Sequence, residues 1–228
     1  MQSPINNYNY YDSDNPSALI VFICGNEETD MLKNIKYNVE QACSVSLSLL
    51  AYTVEDWNRE LSPWPAPPVF GKEAFEGLAK DTLINLEKRI NCITQTYMKQ
   101  SNIPVILGGY SLAGLFALWA AYQTDTFNGI SAVSPSVWFP DWIDYTSSHI
   151  IHTDYVYLSL GDKESRTRNP IMSKVYDCIK KEHDDLISSG QVKDTILELN
   201  PGNHFQNVDT RVLKALQWVV NKCLCKTN

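Results

Sequence analysis

The chain has 228 residues, of which 44% are hydrophobic, and 26 acidic against 19 basic side chains give a formal net charge of -7 at pH 7. This length and apolar content predict one globular domain over residues 1–228, with a core large enough to fold alone. Nucleic-acid affinity depends mainly on clustered Lys and Arg, so the acidic balance without such a cluster excludes a nucleic-acid partner.

The beginning of the chain predicts neither export nor a membrane anchor. Residues 1–14 are polar and rich in Asn and Tyr, without the basic start and apolar run of a signal peptide. Since no apolar stretch is long enough to span a bilayer, we expect a soluble, cytoplasmic protein with no membrane partner.

The cysteines are scattered through apolar and helical stretches instead of being paired at metal-ligand spacing. They are Cys24, Cys43, Cys92, Cys178, Cys223 and Cys225. We therefore expect mostly buried thiols, no disulfide framework, no metal and no cofactor.

Apolar runs alternate with longer amphipathic stretches along the chain, which is typical of parallel strands covered by helices on both faces. The runs predict strands at residues 18–24, 45–51, 105–107, 130–133, 155–160 and 195–199. Three- and four-residue apolar spacing predicts helices near residues 31–42, 73–98, 112–123, 171–188 and 208–222. The predicted fold is a three-layer α/β/α sandwich with a mostly parallel sheet, and its ligand site is expected in loops that follow strands.

Ser111 lies in residues 108–114 (GGYSLAG), between the third predicted strand and the third predicted helix. A nucleophile elbow holds its serine in a strained conformation and needs small neighbours, which Gly109 and Ala113 supply. Ala113 takes the last position of the usual Gly-x-Ser-x-Gly pattern, and Gly114 follows it. Small residues at such a turn can also serve packing alone, but an acid and a histidine follow in the order that one class of serine hydrolases uses.

The candidate acids of the triad lie in residues 161–164 (GDKE), which follow the fifth predicted strand. One carboxylate must fix the tautomer of a histidine and stabilise its imidazolium form. Asp162 directly follows a glycine, where aspartate commonly bonds nearby backbone in a turn. Glu164 is therefore the predicted acid, and Asp162 is the alternative. A third interpretation is that both carboxylates are solvated at a turn and neither is catalytic.

The four histidines differ in their positions relative to the predicted strands, and this difference identifies the candidate base. His149 and His152 precede the fifth predicted strand, at its amino end, and His183 belongs to a charged helical run. His204 ends the turn sequence of residues 200–204 (NPGNH), after the last predicted strand, where the loop can lean over the serine. His204 is the predicted base.

These side chains predict nucleophilic catalysis at a carbonyl group. Ser111 attacks while His204 takes its proton, and the developing oxyanion needs donors that are already in place. The amide of Leu112, directly after the nucleophile, is the first expected donor. The second is expected from Gly25 and Asn26 after the first predicted strand, with Asn26 as the oxyanion donor, although Gly25 could instead serve only as a turn.

Four segments together resemble the esterase family of α/β-hydrolases that is similar to enterochelin esterases, S-formylglutathione hydrolases and carbohydrate esterases. They are residues 108–114 (GGYSLAG), 134–138 (SPSVW), 161–164 (GDKE) and 203–205 (NHF), and the resemblance runs from about residue 21 to 218. It implies an α/β-hydrolase fold and Ser111, Glu164 and His204 as nucleophile, acid and base. The chain departs from the family pattern at Ala113 and at residues 25–28 (GNEE), which lack a His-Gly pair.

Tryptophans after the second and fourth predicted strands indicate aromatic pocket walls or partial core. Trp57, Asn58 and Trp138 are the predicted substrate-pocket residues. Side chains that could bind a substrate carboxylate are Arg59, Arg166 and Arg168. Without an insertion for a large lid, we expect an open site.

The predicted function is a serine esterase that cleaves a small-molecule carboxylic ester through an acyl-enzyme. Two alternatives remain at this stage: a non-catalytic ligand-binding protein on a hydrolase scaffold, and an acyltransferase that uses the same triad. The sequence leaves the natural ester and the oligomeric state open.

Overall fold

The computed structural model describes residues 8–97 and 103–225. Its strands are β1 (Tyr8–Tyr11), β2 (Ala18–Cys24), β3 (Leu47–Thr53), β4 (Pro65–Ala66), β5 (Phe75–Glu76), β6 (Val105–Tyr110), β7 (Gly129–Val133), β8 (Tyr155–Gly161) and β9 (Asp194–Asn200). Its helices are α1 (Thr29–Cys43), α2 (Trp57–Glu60), α3 (Ala79–Tyr97), α4 (Leu112–Ala121), α5 (Trp142–Ser148), α6 (Val175–Ser189) and α7 (Val208–Leu224).

A seven-stranded sheet in the order β1-β3-β2-β6-β7-β8-β9 forms the centre of the molecule. The strands run parallel except β1, which pairs with β3 in the antiparallel direction. β2 is buried along its whole length because helices cover both faces of the sheet. Its alternate side chains serve two cores: Leu19, Val21 and Ile23 pack with α3 and α4, and Ile20 and Phe22 pack with α1 and α7. The predicted three-layer sandwich is confirmed.

The sheet brings three loops together at one edge. β6, β8 and β9 are parallel, so their carboxyl ends meet on the same side of the sheet, where ligand sites of such folds lie. Ser111, Glu164 and His204 each lie in a segment that directly follows one of these strands. The topology therefore brings together residues separated by as many as 93 positions in the chain.

The structure corrects the predicted helix at residues 73–98. Helix α3 begins only at Ala79, and Phe75–Glu76 instead pairs with Pro65–Ala66 in a small two-stranded sheet. Gly77 lies between them with a φ of +79°, and a Cβ there would be 2.5 Å from Pro65, so the chain turns sharply before the helix. Residue 98 lies outside the described residues.

Three further elements were not predicted from the sequence. β1 forms in the segment interpreted only as polar, because Tyr8 and Tyr10 turn partly buried rings towards the core. Helices α2 and α5 have four and seven residues, too short for their apolar spacing to be distinguished from a loop.

The cysteines are free thiols with unequal exposure. Cys24 is buried, but Cys92 and Cys225 are exposed and the other three are partly buried. The expectation of mostly buried thiols is therefore wrong, because α3 and the end of α7 turn two of them to solvent. Within residues 8–97 and 103–225, no helix is both long and apolar enough to cross a membrane.

Candidate active site

Ser111 occupies the turn between β6 and α4 with φ 57° and ψ -121°, a left-handed φ that non-glycine residues rarely adopt. Gly109 makes the turn possible, since a Cβ there would be 2.3 Å from the carbonyl oxygen of Ala113. Gly114 faces Pro135 in the same way, with only 3.2 Å available. A Cβ at Gly109 would also be 2.8 Å from the Cβ of Ala113, so the methyl group of Ala113 fits because residue 109 has no side chain.

A hydrogen-bonded chain joins the three residues singled out in the sequence. The ring nitrogen Nε2 of His204 is 3.0 Å from Ser111 Oγ, and Nδ1 is 2.7 Å from Glu164 Oε2. An ionised carboxylate only accepts hydrogen bonds, so Nδ1 carries the proton and Nε2 is free to accept from the serine hydroxyl. This is the geometry of an activated nucleophile, its base and the group that orients the base.

The second carboxylate oxygen of Glu164 has donors of its own. Oε1 accepts hydrogen bonds from the Gly161 amide, Ser134 Oγ and Arg211 Nη2, each at 2.7 Å. Burial raises the pKa of Glu164, but hydrogen bonds from His204 and Arg211 outweigh it and lower the pKa to about 2. The side chain is 4% exposed and is held ionised in one orientation.

Asp162 takes no part in this chain. Its Oδ1 accepts a hydrogen bond from the Gly202 amide at 2.9 Å, and the residue is exposed. It therefore ties the loop after β8 to the loop after β9, and its partner is not the adjacent backbone that a turn aspartate was expected to bond. The structure brings Glu164, and not Asp162, to His204.

Arg211 on α7 is a part of the site that the sequence analysis missed. It is 1% exposed; besides Glu164 it bonds Ser134 Oγ, and its Nη1 donates to the Tyr110 hydroxyl at 3.0 Å. The Tyr110 hydroxyl in turn donates to the carbonyl oxygen of His204 at 2.5 Å. One guanidinium thus supports both the acid and, through Tyr110, the backbone of the base.

The sequence did carry a signal for Arg211. It lies at helical spacing on the apolar stripe of α7, together with Val208, Val212 and Ala215. An arginine in the middle of a buried stripe needs an anionic partner, because charged side chains are almost never fully buried alone.

The two expected oxyanion donors lie at the first residues of helical segments: Leu112 begins α4, and Asn26 begins the single 3-10 turn Asn26–Glu28 that precedes α1. Leu112 is the first residue of α4, so its amide has no acceptor within the helix. The Gly25 amide donates to Glu28 Oε2 at 2.7 Å, which leaves the Asn26 amide as the candidate of this loop. β2, which precedes Asn26, is the direct neighbour of β6, which carries Ser111.

A cavity of about 410 Å³ opens beside the nucleophile. The described residues that line it are Phe70, Ser111, Ser134, Ser136, Trp138, Glu164, Met172, Val175, His204 and Phe205. A further hydroxyl group lies beside the nucleophile: Ser136 Oγ is 3.5 Å from Ser111 Oγ.

Of the three predicted pocket residues, only Trp138 is among those that line the cavity. Trp57 packs against the hydrophobic core, and the Asn58 side-chain amide donates to the carbonyl of Glu73 at 3.3 Å. Arg59 pairs with Glu76 at 3.6 Å. These side chains of the short helix α2 thus pack against the core or pair with Glu73 and Glu76, and the structure does not bring them to Ser111.

Known proteins resemble this chain mainly in their folds. No protein-family model matches it. It is 24% identical over 185 residues to the uncharacterized protein YbbA of Bacillus subtilis, which covers 76% of this chain and 74% of that protein.

Solved structures superpose over most of the chain. The siderophore hydrolase EstA of Aspergillus nidulans has a TM-score of 0.68 at 17% identity, covering 97% of this chain and 98% of its own. An IroE-like serine hydrolase from Shewanella oneidensis has a TM-score of 0.74 at 15% identity, covering 92% and 74%. The enterobactin esterase FES of Shigella flexneri has a TM-score of 0.68 at 12% identity, covering 94% and 55%. The chain therefore has the α/β-hydrolase fold that the sequence resemblance implied.

Proposed function

We propose that this protein is a serine esterase that hydrolyses a small-molecule carboxylic ester through an acyl-enzyme. The observation that carries the proposal is the unbroken chain of hydrogen bonds from Ser111 Oγ through the His204 ring to Glu164. The folds of proteins named as hydrolases and an esterase are consistent with it. A fold alone does not define a reaction, so the proposal depends on the geometry of the site.

In the first half-reaction, Ser111 Oγ attacks the ester carbonyl carbon while His204 Nε2 takes the hydroxyl proton. The bond to the alcohol oxygen then breaks, and His204 returns the proton to the leaving alcohol. His204 Nε2 next deprotonates a water molecule, which attacks the carbonyl carbon of the acyl-serine. The bond between that carbon and Ser111 Oγ then breaks, the free acid is released, and His204 returns the proton to Ser111 Oγ. Glu164 stays ionised throughout and stabilises the imidazolium.

The oxyanion formed in both steps is assigned to the amides of Leu112 and Asn26. Helix N-termini carry free amide donors and partial positive charge, which suits an oxygen that becomes negative. Because these are backbone groups, they need no reorganisation during the reaction. Losing one such donor typically costs about 2.7 to 4 kcal/mol of transition-state stabilisation.

The test compares the wild type with Ser111→Ala on a panel of short-chain aryl esters, together with labelling by a fluorophosphonate. We expect the wild type to turn over esters and to be labelled once, at Ser111, whereas the variant does neither. Ser148→Ala is the matched control, because Ser148 is exposed on α5 and does not line the cavity. Equal turnover by wild type and Ser111→Ala would refute the proposal.

Acyl transfer uses the same acyl-enzyme, and product analysis separates it from hydrolysis. With added alcohol acceptors, a hydrolase releases mainly the free acid, whereas a transferase releases the new ester. The proposal predicts the free acid as the main product.

A further inference from the structure

The walls of the cavity beside Ser111 are apolar. Phe70, Trp138, Met172, Val175 and Phe205 supply carbon surface, and the remaining lining residues are the triad and two serines. Ligand pockets with such walls bind mainly by excluding water from apolar groups, and a few polar atoms fix the orientation. In this cavity the polar atoms are those of the triad and of the two serines, and they lie together beside Ser111 Oγ.

The described residues that line the cavity offer no free charge to a ligand. Among the described residues that line it, none is Lys or Arg, and Glu164 is already paired with Arg211 and His204. The cations expected from the sequence, Arg166 and Arg168, are exposed and do not line it. An anionic group placed in this cavity would lose its hydration without gaining a partner. The net charge of -7 adds to the repulsion of anions.

Two exposed aromatic rings stand among the lining residues. Phe205 is 85% exposed, directly after the base, with its ring edge-on to His204 at 5.2 Å between centroids. Phe70 is 48% exposed and meets Trp138 edge-on at 6.0 Å. Large apolar side chains left in water beside a cavity mark a binding surface, since solvating them has a cost that a ligand removes.

We propose that the site selects esters whose substituent is uncharged and aromatic, bound between Phe205 and the Phe70–Trp138 pair, and discriminates against esters with a carboxylate at that position. This inference rests on the proposed esterase function and adds the substrate class to it. A planar ring fits because edge-to-face and offset contacts with the three aromatic side chains add to the apolar burial. The volume of about 410 Å³ lies in the range of small-molecule sites.

The first experiment measures kcat/KM for two matched pairs of esters. On the alcohol side the pair is 4-carbamoylphenyl acetate and 4-carboxyphenyl acetate; on the acyl side it is ethyl 4-carbamoylbenzoate and ethyl 4-carboxybenzoate. Each pair has one shape and differs in charge. We expect the neutral amide to exceed the carboxylate by about tenfold or more in at least one pair, since an unpaired anion in an apolar pocket is penalised.

Equal rates within both pairs, with Ser111→Ala inactive, would overturn the substrate class and leave the esterase function intact. No Ser111-dependent turnover of any ester, including simple aryl acetates, would overturn both. The two failures are therefore distinguishable.

The second experiment places a cation at the cavity. Phe205→Arg should raise kcat/KM for the carboxylate esters by about tenfold relative to their amides, because a guanidinium pairs with a carboxylate. Ile150→Arg is the control: Ile150 is 63% exposed, does not line the cavity, and the variant has the same net charge. Phe205→Leu should keep the neutral preference.

An equal response of Phe205→Arg and Ile150→Arg would overturn the proposed position of the ligand. Thermal unfolding of each variant checks the fold, and Phe205 is exposed enough that its replacement removes little packing.

Discussion

Two buried glutamates, Glu164 in the site and Glu182 on α6, have opposite electrostatics. Little of either side chain reaches solvent: the Glu164 side chain is 4% exposed, and Glu182 as a whole residue is 0% exposed. Burial raises the pKa of both, but hydrogen bonds from His204 and Arg211 bring that of Glu164 down to about 2, whereas that of Glu182 rises to about 7. Burial alone therefore does not decide whether a carboxyl group is charged; the donors around it do.

The difference in donors is visible atom by atom. Glu164 has partners on both oxygens, including a guanidinium. Glu182 Oε2 accepts a hydrogen bond from Trp142 Nε1 at 2.8 Å, and Oε1 has no partner among the residues that the structure describes. The ionised acid can orient and stabilise a cationic imidazole, whereas Glu182 joins α6 to α5 in the core and stabilises no neighbouring cation.

The largest effect is expected from Glu164→Gln. An amide cannot stabilise the imidazolium and favours the wrong histidine tautomer, so kcat on an aryl ester should fall by about 10⁴-fold, as for the corresponding change in a known triad. Two matched variants sharpen the comparison: Glu182→Gln and Asp162→Asn should each retain kcat within about threefold, since neither touches the triad. A greater loss in Asp162→Asn than in Glu164→Gln would reverse the assignment of the acid.

The next effect concerns the cation that distinguishes the two glutamates. Arg211→Met removes the guanidinium and leaves the Glu164 carboxylate buried with fewer partners, which typically destabilises a protein by about 3 to 5 kcal/mol. It should also raise the pKa of Glu164 from about 2. Denaturant unfolding at pH 7 measures the first change. The stability lost between pH 4.5 and pH 2, expected to be smaller than in the wild type because the folded pKa of Glu164 lies closer to 4.5, measures the second.

Arg211→Lys is the conservative control for that variant. It keeps the charge but not the fork that reaches Ser134, Glu164 and Tyr110 together, so intermediate losses are expected. If Arg211→Met lost stability at pH 7 but lost as much further stability between pH 4.5 and pH 2 as the wild type does, Arg211 would only support the packing of α7.

The smallest effect is the dependence of stability on pH that Glu182 causes. Its folded pKa of about 7 lies above the ordinary value of 4.5, so its contribution is fully present below pH 4.5 and is lost as pH rises through about 7. The loss amounts to about 3 kcal/mol between these limits. Glu164 has the opposite sign: its contribution is present above pH 4.5 and is lost as pH falls towards 2.

Glu182→Gln isolates this term, because the amide has a similar shape and cannot ionise. Urea unfolding of wild type and variant at pH 5 and pH 8 should show the wild type losing more stability on going to pH 8 than the variant does. Identical losses in the two proteins would mean that Glu182 is ionised in the fold at both pH values.

Much of the fold was predictable because its signals are local. The strand at Ala18–Cys24 was predicted with its observed bounds, since a continuous apolar run between polar segments has few alternatives in a sheet covered on both faces. The strand-to-helix turn at Ser111 was predictable from Gly109 and Ala113. Phe75–Glu76 was misassigned to a helix because its pairing with Pro65–Ala66 depends on partners nine and eleven positions away.

The sequence by itself determined the alternation of strands and helices, the elbow around Ser111 and the chain order of serine, acid and histidine, because each depends on neighbouring residues. Only the tertiary structure decided which of Glu164 and Asp162 reaches His204, that Arg211 holds that acid, and which aromatic side chains stand around the cavity. Such contacts join side chains up to 101 positions apart, and their distances follow from how parallel strands stack and how α7 crosses the sheet. No local pattern of residues encodes those distances.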